Sequence, residues 1–119
     1  EYPDAINNYA MVLIFAGRPQ EAESLFKKHF GAEIVPNPKF INAYVAIGDF
    51  NKVFLIWEKL VAQSPNDVQS RLGLASAYVK TFQDAKAIKE LEKAIELAPD
   101  FKAQGEIFIK QIKEGKLKR

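Results

Sequence analysis

His29 is the one imidazole in the sequence, and there is no cysteine to join it. A zinc site takes three or four Cys, His or carboxylate ligands, and acid–base catalysis needs a convergent second group. In the stretch FKKHFG the imidazole reads as part of a basic helix end, where positive charge complements the helix dipole and Gly31 closes the helix. The carboxylates are equally local. Glu90 falls three or four residues from Lys86 and Lys93, Glu92 from Lys89, and Glu96 from Lys93. That spacing predicts solvated ion pairs along a helix surface, each worth a few tenths of a kcal/mol. Thiolate nucleophiles and disulfides are excluded by composition. No catalytic residue, metal ligand or cofactor site is assigned, and the chain is expected to be non-enzymatic.

The elements that carry these residues are those of an ordinary folded domain. The 119 residues are 48% hydrophobic and 27% charged, with 17 Lys and Arg against 15 Asp and Glu. Such a balance argues against disorder and against a dedicated nucleic-acid surface, which needs a larger basic excess. The longest apolar run, Tyr9 to Ala16, has eight residues, whereas a bilayer span takes about 20.

The sequence repeats. Tyr44 and Tyr78 are 34 residues apart, and the same step relates Val53 to Ala87, Trp57 to Leu91, Leu60 to Ala94 and Pro65 to Pro99. A step of 31 relates Tyr9 to Phe40, Gly17 to Gly48, Ala22 to Val53 and Phe26 to Trp57, which puts a three-residue deletion in the connector Gly31–Pro38. At the far end Leu74, Ala75 and Tyr78 map by 34 onto Phe108, Ile109 and Ile112. Within each unit apolar residues recur at three- and four-residue steps, which is helical periodicity. Gly17-Arg18-Pro19 and Gly48-Asp49 punctuate helix ends. Asn66 or Asp67, and Asp100, are placed to cap the helices that follow. The expected helices are 3–16, 19–30, 37–47, 50–63, 67–80, 84–97 and 100–114. Tyr9, Phe26, Phe40, Tyr44, Phe50, Trp57 and Tyr78 fall on the packing frame and are expected in the core. Phe82 is expected to staple the turn between the fifth and sixth helices.

Helix pairs at a 34-residue step, with AYVK, Ala87 and LEKAIELAPD, resemble the tetratricopeptide repeat. The strongest match is residues 68–101, where Leu74, Ala75, Tyr78, Ala87, Leu91, Ala94 and Pro99 take the motif's packing positions. The resemblance implies an all-α fold: a right-handed α-solenoid of three helix pairs plus a C-terminal capping helix. Residues 1–119 then form a single domain, with repeats at about 3–31, 34–67 and 68–101, a capping helix at about 100–114 and a basic tail at 115–119. It also implies a protein–protein interaction scaffold that binds a peptide or partner helix in a concave groove. On that analogy the groove is lined by Asn7, Met11 and Ile14, by Asn42 and Val45, and by Leu72, Ser76 and Val79. Lys39 and Arg71 are the nearest cations, too few for a clamp on a chaperone's terminal carboxylate.

Two other resemblances point to different functions. INAYVAIGDFNKVFLIWEKL is similar to a pentatricopeptide repeat, implying RNA binding, but the 34-residue step, the closing prolines and the weak basic excess disfavour nucleic acid. The ending ELAPDFKAQGEIFIKQIKEGK is similar to repeat tails of bacterial membrane proteins that polymerise or ligate surface glycans, which would make the chain a soluble appendage of such an enzyme. The tail itself carries six cations against three acids over residues 100–119. That is sparse for a lipid-binding cluster of about 4–8 adjacent cations and suits a polar cap better. The N-terminal helix is apolar all round at YAMVLIFA. With no Met at position 1, the chain is expected to be a piece of a longer protein. Val12 and Phe15 are then expected to meet an upstream repeat, or to drive self-association in its absence.

Overall fold

A computed structural model of the chain describes residues 3–117 and 119; Glu1, Tyr2 and Lys118 of the expected N-terminal edge and basic tail lie outside them. The described residues form seven α-helices and no strand: α1 (Pro3–Phe15), α2 (Pro19–Phe30), α3 (Pro38–Ala46), α4 (Phe50–Gln63), α5 (Val68–Lys80), α6 (Asp84–Leu97) and α7 (Lys102–Lys113). The helices match the periodicity and punctuation to within a residue or two. Pro opens α2 at its first turn, where a missing N–H leaves no bond unmade. Asn37 caps α3 by accepting from the Lys39 N–H, a cap the sequence reading passed over. Asp49 accepts from the Lys52 N–H at 3.3 Å, and Asp67 accepts from the Gln69 N–H and the Ser70 hydroxyl. Asp100 does not cap. It lies inside a 3₁₀ turn, Pro99–Phe101, that precedes α7.

Two compact units divide the chain, Glu1–Ile56 and Trp57–Arg119, and the division falls within α4. In the first unit α1 packs on α2 and on α3. Its core holds Ala10, Leu13 and Ile14 of α1, Ala22 and Phe26 of α2, Phe40 and Tyr44 of α3, and Val53 and Ile56 of α4. The Phe26 and Phe40 rings meet at 4.6 Å between centroids, a tilted pair of the kind aromatic quadrupoles favour. Tyr9, expected in this core, is 57% exposed. Ala10 and Leu13 instead turn inward, so Tyr9 shares the outer face of α1 with Val12 and Phe15.

In the second unit α5 packs on α6, and α6 on α7. Leu74, Ala75, Tyr78, Ala87, Leu91 and Ala94 are all buried, as the motif requires of its packing residues. The small side chains at Ala75, Ala87 and Ala94 permit close helix approach. Trp57, expected to be nearly buried, is half-buried, as Phe50 is in the other unit. The indole lies flat against α5 at Gly73, where an added Cβ would fall 2.5 Å from Cζ2. Gly73 is therefore the seat of Trp57, and the missing side chain is what lets the ring approach.

Candidate functional site

Leu72, Ser76 and Val79 lie on α5 at three- and four-residue steps, so they share one face of the helix. Opposite them stand Gln104, Phe108 and Ile112 of α7, with Phe101 at one end and Leu117 at the other. Together they enclose a groove of about 560 Å³. Its floor is apolar, made by Ala75, Val79, Leu91 and Ile112, all buried. Its rim is polar, with Gln69, Ser76 and Gln104. Among the described residues that line it, Lys80 is the one that is charged. That combination, a mostly apolar cleft with a few polar groups, is usual for binding sites of this size.

Arg71 explains why the groove is nearly uncharged. Its guanidinium turns away to Glu90 of α6 at 2.9 Å and to the Pro65 carbonyl at 3.0 Å. Both partners of the ion pair are mostly buried, so the pair ties α5 to α6. Glu90 was expected to pair along its own helix with Lys86 and Lys93. The cross-helix partner wins because a planar guanidinium can bond the carboxylate and the carbonyl at once. Lys86 instead lies over the Tyr78 ring, 5.7 Å from its centroid. Along α6 the expected surface pair of Lys93 and Glu96 is present, at 3.7 Å.

The eight residues expected to line a groove divide between the two units. Leu72, Ser76 and Val79 line the same cleft in the second. In the first, Asn7 and Met11 on α1 are half-buried, and Asn42 and Val45 on α3 are exposed. Ile14 is fully buried and offers no surface, because it points into the core beside Ala10 and Leu13. Val79 is only 6% exposed and contributes floor, not rim. The Asn7 Oδ1 atom is buried and accepts no hydrogen bond among the described residues. Nearby on the sequence, Asn8 accepts from the Lys39 ammonium at 3.3 Å, a contact between α1 and α3.

A second depression, about 810 Å³, runs between α6 and α7. Glu92, Glu96, Glu106, Glu114, Lys110 and Lys113 line it with two isoleucines. It is larger but shallow and charged, a solvated face of the kind that ends a helical stack. His29 is exposed in the last turn of α2 beside Lys27 and Lys28.

A model of the tetratricopeptide repeat family matches residues 68–101. These residues are a tetratricopeptide repeat. The match covers α5, α6 and the 3₁₀ turn, the segment whose packing residues follow the motif most closely. Repeats of this family in general mediate protein–protein contacts and are typically non-catalytic scaffolds. No curated protein matches the chain. Nothing in the comparisons supports the resemblance of the ending to surface-glycan polymerases.

Sequence reasoning missed the groove's α7 wall. Phe108 and Ile112 match Leu74 and Tyr78 at the 34-residue step, but the helix that carries them is read from the sequence as a polar cap with no part in the groove. That alignment carried little signal for the groove: at the 34-residue step Gln104 and Phe108 match the buried Ser70 and Leu74, while Leu72 and Ser76 match Glu106 and Lys110.

Proposed function

We propose that the chain is a non-catalytic protein-interaction module whose groove between α5 and α7 holds an apolar or amphipathic peptide segment of a partner. The observation that carries this reading is the groove's chemistry: buried aliphatic floor, aromatic end at Phe101 and Phe108, polar rim. A peptide helix laid there would place side chains at three- and four-residue steps on the floor and leave its polar face to Gln69, Ser76 and Gln104. The near absence of cations in the α5–α7 groove argues against the RNA reading, because phosphate neutralisation needs Lys and Arg along the path.

The test is selection of peptides from a displayed random library, followed by titration of an enriched peptide against the chain and against Ser76→Arg. Ser76 is exposed, so the substitution fills the groove without disturbing the core. Loss of binding by tenfold or more is expected. Unchanged binding would move the site elsewhere.

A second surface has its own observation. Tyr9, Val12 and Phe15 on α1 are each at least 50% exposed, an apolar stripe on one helix face. We propose that this stripe drives self-association of the chain, with a second copy as its cover.

A further inference from the structure

Gly17 and Gly48 occupy one position of the repeat, each closing its helix with a positive φ of 79° and 76°. The residue 34 positions on from Gly48 is Phe82, with φ 60°. A bulky side chain in the left-handed region is strained, and such strain clusters at functional positions. Burial does not account for the aromatic ring, which is 75% exposed and not packed over the α5–α6 turn as expected. What it does meet is Arg119, whose guanidinium lies 4.6 Å from the ring centroid.

The same guanidinium is held on two other sides. Its Nη1 and Nη2 donate to the two carboxylate oxygens of Asp84, at 2.6 and 2.8 Å. Nη1 also donates to the Val79 carbonyl in the last turn of α5, at 2.8 Å. A ring face, a bidentate carboxylate and a helix C-terminal carbonyl are what an arginine can use and a lysine cannot match. The Arg119 contact holds the Asp84 carboxyl below the usual carboxylate range. Two residues before Arg119, Leu117 lines the end of the α5–α7 groove.

We propose that Phe82, Asp84 and the Val79 carbonyl form an arginine-recognition site, that Arg119 is its resident occupant, and that a partner segment presenting an aliphatic residue and an arginine two positions apart displaces it. This rests on the groove reading above and extends it. The segment after α7 is then a tether that holds the groove's end until a competing peptide arrives.

The probe is a fluorescein-labelled peptide of residues 114–119, EGKLKR, followed by anisotropy with the full chain. Arg119→Ala in the chain empties the site and should tighten peptide binding by tenfold or more. Adding Asp84→Asn or Phe82→Gly to Arg119→Ala should reverse that gain, and Phe82→Gly suits the local backbone, so folding is spared. A peptide with Lys in place of its arginine should bind at least tenfold more weakly. Equal binding to the parent chain and to Arg119→Ala, or equal binding of the Lys peptide, would overturn the proposal. Neither result touches the groove reading, which stands or falls on Ser76→Arg with library peptides.

Discussion

The Tyr78 hydroxyl donates to the Glu58 carboxylate at 2.5 Å, tying α5 to the second half of α4. The equivalent residue 34 positions earlier, Tyr44, does the same to Glu23 of α2 at 2.8 Å. The two glutamates are not equivalent. In the repeat frame Glu58 comes one helical turn later than Glu23, so the tyrosine is the constant and its acceptor varies. Lys52 and Lys86 also share a position. Lys52 joins Glu23 at 3.2 Å, while Lys86 covers the Tyr78 ring.

Both tyrosines resist ionisation, first because burial disfavours the phenolate and then because the adjacent carboxylate does. Their folded-state pKa values are raised above the unfolded value of about 10. The stabilisation is therefore complete below about pH 10 and declines as pH rises toward the folded values. Each tyrosine adds a slope of up to about 1.4 kcal/mol per pH unit in that window. Urea unfolding at pH 9 and pH 11 should show the loss, and Tyr44→Phe with Tyr78→Phe should flatten it. An unchanged pH slope in the double variant would contradict the burial of these hydroxyls.

Gly73→Ala should cost about 1–3 kcal/mol, because the new methyl falls within the Trp57 indole and the ring must leave its seat. Trp57 is the sole tryptophan, so its emission reports the shift directly. A variant with parental emission and urea midpoint would mean that the ring does not rest there. Ala87→Phe, at a position with no exposed surface, should cost a similar amount by overpacking.

Val12→Lys with Phe15→Lys should lower any self-association seen by light scattering across a concentration series, without loss of helicity. A monomer at all concentrations, unaffected by the pair of substitutions, would remove α1 as an association surface.

The fold was legible because its signals are local or periodic. Gly-Arg-Pro at 17–19 and Gly-Asp at 48–49 mark helix ends by backbone chemistry, and the 34-residue step places Ala87 and Leu91 in the core by analogy of position. What was not legible involves partners far along the chain. Glu90 has two lysines at helical spacing, yet bonds Arg71, 19 residues away. Arg119 meets Asp84, 35 residues away, and no spacing rule reaches that far. Ile14 lies in the core and not on a groove wall because helical steps fix a face only to within one residue's rotation, and a small rotation carries an aliphatic side chain from wall to core. Leu72 and Ser76 line the cleft.

The proposed surface for a partner peptide is the α5–α7 groove. Amide chemical-shift mapping of the full chain, titrated with a library-selected peptide, tests it most directly. The largest shifts are expected on Leu72, Ser76, Gln104 and Phe108, and Ser76→Arg should abolish them. Shifts concentrated on Glu92, Glu96 and Lys110, or on the outer face of α1, would contradict it.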